Sequence, residues 1–277
     1  MADMSKADIA PLMAMPARKK TPRKKIAVLG GRVLEMGLSA IFLFALWEGI
    51  VRFFAVPSYI FPAPSAVTVA LWQGIVNGAY TKALIVTTNE IVVGLFLGSL
   101  VGILLGFAMV SIPRLDRLIY PYVVASQTVP KVAIAPLFIV WFGLGIESKI
   151  IIVALTCLFP LLVNTMAGMR ATDPGRVALV RALCGSRPQL LWYVQLPSAL
   201  PYIFAGLHTA VVLSVIGAIV GEFVGAKQGL GVMVLQANFN LDLAAVFALL
   251  VILALMGVIL SGIVSWLEKR VCFWAGR

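Results

Sequence analysis

The stretch MRATDPGRVALVRALCGSRPQLLWYVQLPSALP, residues 169–201, decides how the rest of the chain is read. It is the longest interruption between uncharged apolar runs after the N-terminal tail, and it carries four arginines. Asp173-Pro174 marks a helix start, because Asp accepts from free N–H groups there and proline fits the first helical position. Gly185 is placed to end that helix, since glycine enters the left-handed conformation at little cost. Ser186-Arg187-Pro188-Gln189 reads as a capping box, with Pro188 still inside the tolerant first turn. A pair of short helices is therefore expected, ending at Leu196-Pro197. They form a compact elbow, about 170–200, between two apolar runs.

Composition places this elbow in a membrane protein. The chain has 277 residues, of which 61% are hydrophobic and 12% charged, with a mean hydropathy of +1.04. No ordinary soluble domain has that balance. The net charge of +11 does not indicate nucleic-acid binding, because most of it lies in the first 32 residues. A basic run beside a first span sets cytoplasmic orientation and meets anionic lipid. Cys157, Cys184 and Cys272 match no zinc spacing and suggest no disulfide framework. The apolar run beginning near Val33 is long enough to span, which argues against a cleaved signal peptide.

In order, residues 1–32 read as a disordered basic cytoplasmic tail and 33–277 as a transmembrane domain. Six spans are expected, at 33–55, 91–112, 118–142, 149–169, 202–224 and 243–267. Glu48 pairs with Arg52 one turn away in the first. Residues 57–80 are too broken by proline to span; a helix capped by Ser65 should lie at the interface, with Trp72 and Tyr80 at the membrane–water boundary. Gly94, Gly98, Gly102 and Gly106 recur every four residues and should let a second helix approach closely. The third span is irregular, with Pro121, Pro130 and Pro136 in its backbone and Lys131 deep inside. Broken backbone and a buried charge are tolerated beside protein or a watery cavity. That makes Pro130, Lys131 and Pro136 candidates for lining a pathway. Glu222, at the end of the fifth span, joins them. The connection after it carries Gly225, Gly229 and Gly231. His208 reads as a packed histidine with no second metal ligand nearby in sequence.

Alternating the loops puts seventeen of the 22 Lys/Arg on the side of the N-terminus. They are eight in the first 32 residues, Arg114 and Arg117, the elbow's four, and Lys269, Arg270 and Arg277. Both termini and the elbow are thus expected in the cytoplasm. No phosphate-binding loop GxxxxGK[ST], no HExxH, no GxSxG and no paired carboxylates within the spans are visible in the sequence. No catalytic residue is assigned. A secondary transporter fits the composition, but internal repeats are not evident and the arginine-rich elbow has no role in it.

The elbow resembles the coupling loop of ABC-importer permeases, whose pattern is Glu-Ala-Ala, three residues, Gly, nine residues, Ile, one residue, Leu-Pro. Counting back from Leu196-Pro197 puts Val194 at the Ile position, Cys184 at the Gly position and Ala178 at the Glu position. The Glu is missing, and the nearest glycine is Gly185. PKVAIAPLFIVWFGLGIESK (130–149) and GEFVGAKQGLG (221–231) resemble permeases importing nitrate, taurine and alkanesulfonates. The resemblance implies an all-α type I importer fold of about six spans in the bacterial inner membrane. It also implies a homodimer of permease chains, two ABC ATPase subunits beneath the elbows, and a periplasmic solute-binding protein. ATP and Mg would belong to the ATPase, leaving this chain without a cofactor. The substrate implied is small and anionic or heterocyclic.

Overall fold

The computed structural model describes residues 22–274. α1 (Pro22–Phe53) forms a unit of its own with the residues up to Ala55. It contains the first predicted span, and Arg52 Nε meets Glu48 Oε1 at 2.6 Å, the expected pair. Of the basic tail, residues 1–21 lie outside the described residues, and from Pro22 the backbone is helical rather than irregular.

The second unit begins at Val56. α2 (Pro64–Val76) starts with Pro64 in its first turn. Its N-cap is Ala63 with no side-chain bond, so Ser65 does not cap it. α3 (Ala79–Ser111) begins well before the predicted span and takes in Tyr80, Thr87 and Glu90. Tyr80 is buried, its ring lying where a side chain at Gly74 would stand.

The expected third span is two helices, α4 (Pro113–Thr128) and α5 (Lys131–Phe142), bent by 100°. The cause is Pro130, which lacks an N–H and forces Val129 into an extended conformation (φ −73°, ψ 124°). Pro121 and Pro136 sit inside the two helices without ending them. Lys131 is therefore the first residue of α5, at the bend, and only half-buried.

α6 (Ile146–Arg170) is the centre of the unit. After it come α7 (Pro174–Ala182), α8 (Arg187–Leu190), a π turn (Leu191–Gln195), α9 (Leu196–Gly225), α10 (Leu230–Phe239) and α11 (Leu243–Val271). Among the described residues, four helical stretches are long and apolar enough to cross a membrane: α3, α6, the run Arg187–Gly225, and α11. The bent pair makes up to five, against the six expected.

The closest helix contacts run along small residues, and many large apolar side chains face outward. Gly94, Gly98, Gly102 and Gly106 all face α6, as the stripe predicts. A Cβ on Gly98 would strike the Ala154 carbonyl, and one on Gly102 would lie 2.5 Å from the Leu158 oxygen. α9 approaches α6 in the same way. At Gly206 a Cβ would stand 2.9 Å from Asn164 Cβ and 3.2 Å from the Pro160 oxygen. Meanwhile Phe96, Leu100 and Leu104 of α3 and Leu255, Val258 and Ile259 of α11 are exposed. In lipid, tails compete for apolar side chains, so association rests on close packing of small residues. So extensive an apolar outer surface, over glycine contacts within, is that of helices packed in a bilayer.

Candidate functional site

The elbow is built by local backbone chemistry. Asp173 Oδ1 accepts from the Gly175 N–H at 2.8 Å, and Pro174 opens α7. At the other end of α7, Cys184 N–H donates to the Arg181 carbonyl at 3.0 Å and Gly185 N–H to the Val180 carbonyl at 2.8 Å. This pair of bonds is a Schellman motif. The residue in the left-handed conformation is Cys184, with φ +55°, and not Gly185 as expected from the sequence. Cys184 is the position at which the importer pattern has glycine. Gly185 is constrained by contact instead: a Cβ there would meet Val180 Cγ1 at 2.5 Å and the Val180 oxygen at 2.9 Å.

The predicted capping box is present. Ser186 N–H donates to Gln189 Oε1 at 2.7 Å, and Gln189 N–H to Ser186 Oγ at 3.4 Å. The helix it opens does not stop at Leu196-Pro197. It runs through the π turn into α9, so Leu196 and Pro197 are the first residues of a long helix. Pro197 has no N–H to donate and its ring crowds the preceding carbonyls, and the wider π turn accommodates this without ending the helix. Val194 lies in the π turn, half-buried, and Ala178 is exposed on α7. Arg170 Nη2 meets Asp116 Oδ2 at 2.6 Å, tying the last residue of α6 to α4.

At the ends of α6 and α9 remote from the elbow lies a second group, and it is buried. Glu222 is 1% exposed and accepts from the Thr87 hydroxyl at 2.6 Å and from the backbone N–H groups of Gly231 and Val232. Its carboxyl thus caps α10 while bonding α3. Thr87 Oγ1 in turn accepts from the Leu230 N–H at 2.9 Å. Gly229 has φ +134°, and a Cβ there would stand on the Glu222 carboxyl; only glycine serves at this position. Glu90 is a close electrostatic neighbour of Glu222 and is itself 2% exposed, with Oε2 left unpaired. Lys149, 1% exposed, points its ammonium at three carbonyls: Leu144 at 2.7 Å, Gly145 at 2.9 Å and Gly225 at 3.0 Å. It closes the end of α9 against the start of α6, and its charge acts on both carboxyls.

Glu222, Gly225, Gly229 and Gly231 therefore come together, as their order in sequence suggests. Sequence reasoning missed Thr87, Glu90 and Lys149, and found no paired carboxylates, because Glu90 and Glu222 are 132 positions apart. The available signal was Thr87 and Glu90 one turn apart just before the glycine stripe. Lys131 shares no hydrogen bond or ion pair with this group among the described residues; its ammonium lies over the Phe159 ring, 5.2 Å from the centroid. His208 Nε2 contacts Glu268 Oε2 at 3.1 Å, joining α9 to α11. Among the described residues no cluster of side chains could hold a metal, and all three cysteines are free.

A glycine-packed bundle of apolar helices, interrupted by a rigid arginine-bearing elbow, defines a multi-pass membrane permease. More narrowly, the chain belongs to the family of binding-protein-dependent transport system inner membrane components, whose model matches residues 94–272. It is 35% identical over 243 residues to the formylaminopyrimidine transport permease protein of Halalkalibacterium halodurans, covering 88% of this chain and 96% of that one. It is 31% identical to the riboflavin transport system permease protein of Chloroflexus aurantiacus, covering 94% and 97% of the two chains. The taurine transport system permease protein of Escherichia coli is 29% identical, with coverage of 88% and 90%. A crystal structure of an amino acid ABC transporter with histidines superposes with a TM-score of 0.60 over 72% of this chain and 97% of that one, at 20% identity. The fold is that of a type I ABC-importer permease.

Proposed function

We propose that the chain is the permease subunit of an ABC importer for a small anionic or heterocyclic solute, with two copies forming the pathway. Two ATPase subunits, carrying ATP and Mg, dock beneath the elbows, and a solute-binding protein delivers substrate on the opposite face. Both termini and the elbow are cytoplasmic, while Gly74 and Gly229 lie on the periplasmic side. The observation that carries this reading is the elbow, because it is stiffened at both ends by caps and continues without a break into the spanning helix α9. A push on such an element from below reaches the span directly.

The test is to separate hydrolysis from transport. Gly185→Val forces a branched side chain against Val180 and splays the turn without touching a span. The expected result is normal insertion, weaker recovery of the ATPase with the permease, and loss of substrate-stimulated hydrolysis. Normal transport with a fully bound ATPase would sink the coupling role and favour a secondary transporter.

Lys131, at the bend between α4 and α5, is proposed to face the pathway with Pro130 and Pro136 shaping it, and to favour anionic substrates. Glu222 supports the same pathway by holding α10 in place. Lys131→Met is expected to lower uptake while leaving the amount of assembled complex unchanged. Equal uptake by the variant in vesicles would return Lys131 to a packing role on Phe159.

A further inference from the structure

We propose that Arg170 ties the α4–α5 bend to the elbow, so that the bend and Lys131 follow the end of α6; this rests on the pathway role proposed above for Lys131. α4 is a separable piece of the fold. The residue before each of its flanking prolines is extended: Ile112 (φ −121°, ψ 95°) before Pro113, and Val129 (φ −73°, ψ 124°) before Pro130. A residue preceding proline is held out of the helical region, so the helical path is interrupted at both ends of α4. Of its 16 residues only Val123 is buried. Val123 sits with Met109, Leu162 and Met166 in a small apolar cluster apart from the main core. The side-chain hydrogen bonds of Arg117, Ser126 and Thr128 return to carbonyls of α4 itself.

Against that loose packing, one side chain grips α4 from outside. Arg170 Nη2 meets Asp116 Oδ2 at 2.6 Å, and the guanidinium carbon lies 5.7 Å from the centroid of the Tyr120 ring. Asp116 and Tyr120 are one turn apart on the same face of α4. Arginine suits this place, because its planar group pairs with a carboxylate and lies against a ring at once. Arg114 and Arg117 flank Asp116 in sequence, but among the described residues its one ion pair is with Arg170. Arg170 is the last residue of α6, three positions before the Asp173 cap that opens the elbow. Beyond the other end of α4, the Lys131 ammonium lies over Phe159 of the same α6. At 1.5 Å per residue, Phe159 is about 16 Å along α6 from Arg170. α4 is thus a strut beside the last part of α6. It is fastened next to the elbow by Arg170, hinged at Pro130, and followed at once by Lys131. A displacement of the elbow reaches Lys131 along this strut, and Arg170 is the positioning residue that makes the connection.

The experiment measures distances in the full chain, purified from membranes and reconstituted in lipid nanodiscs. With Cys157→Ala, Cys184→Gly and Cys272→Ala as background, spin labels are placed on Gln127→Cys, beside the bend, and Leu179→Cys, on the elbow. Both positions are exposed. Mixing with excess unlabelled chain leaves one labelled pair per assembly. Double electron–electron resonance should give a narrow distance distribution in this parent. Arg170→Gln should broaden it about twofold or more, because a helix released between two hinges takes up the motion they allow. Asp116→Asn should broaden it as well, and Arg170→Lys, which keeps the charge but loses the planar fork, should fall between. A second pair, Leu179→Cys with Val212→Cys on α9, should stay narrow in every variant. A Gln127–Leu179 distribution as narrow with Arg170→Gln as in the parent would overturn the proposal. Broadening by Arg170→Gln but not by Asp116→Asn would overturn it too. So would equal broadening of the second pair, which would make Arg170 a general support of the fold. The pathway reading fails by a different measurement: equal uptake by Lys131→Met takes Lys131 out of the pathway and leaves these distances unchanged.

Discussion

The two ends of α9 solve the same problem by different means. Each must anchor an irregular connection to a long helix. At the elbow the anchors are backbone bonds and caps between residues no more than five apart, from Asp173 with Gly175 to Ser186 with Gln189. Most of its residues are exposed. At the opposite end the anchors are side chains from α3, α6 and α9, drawn from 135 positions apart in the case of Thr87 and Glu222. Thr87, Glu90, Lys149 and Glu222 are almost fully excluded from solvent. A surface that must meet a moving partner is stiff by itself and open to contact. A junction shut off from solvent has to find partners for its polar groups among its own residues.

The sharpest way to break the comparison is Glu222→Ala. It removes the acceptor for Thr87 and for two N–H groups of α10, and leaves Glu90 and Lys149 buried without it. Each buried donor left without its acceptor costs about 1–3 kcal/mol, so folded yield and thermal stability in detergent should fall steeply. Stability within about 0.5 kcal/mol of the parent would mean that the buried group does not hold this end together. Next is Gly98→Val, whose Cβ would meet the Ala154 carbonyl of α6. Backbone cannot yield as a side chain can, and overpacking of this kind costs about 1–3 kcal/mol. The effect should appear as lower thermal stability with the elbow's protease pattern unchanged, since the elbow depends on local bonds.

Cys184→Gly should have the smallest effect, and of opposite sign. It removes a non-glycine residue from the left-handed region, a relief of about 1 kcal/mol. Amide exchange at residues 184 and 185 should slow, because the Schellman bonds are opened less often. Faster exchange would show that the thiol contributes a contact that outweighs the backbone strain. Gly185→Val, whose cost arises from contact with Val180, should move exchange in the opposite direction. The two neighbouring positions then distinguish dihedral strain from steric crowding within one turn.

The cap at Asp173, the capping box at Ser186, the Glu48–Arg52 pair and the glycine stripe of α3 were all legible from residue type and spacing. Each is a short-range rule: a side chain reaching its own backbone, or neighbours on one helical face. Charge and hydropathy likewise determined that the chain is a membrane protein, because transfer of a residue into lipid depends mainly on its own chemistry. Only the structure decided which residue takes the positive φ. Glycine is the cheap choice but not an obligatory one, and helix length and the position of Val180 put Cys184 there instead. It also decided that Pro130 bends its segment by 100° while Pro197 is absorbed by a π turn, since proline removes a bond wherever it falls and the neighbours determine the response. Most of all, it decided that Glu90, Lys149 and Glu222 meet. Their partners are set by how α3, α6 and α9 pack, and packing at glycine contacts leaves no periodic mark that would reveal which charges it brings together.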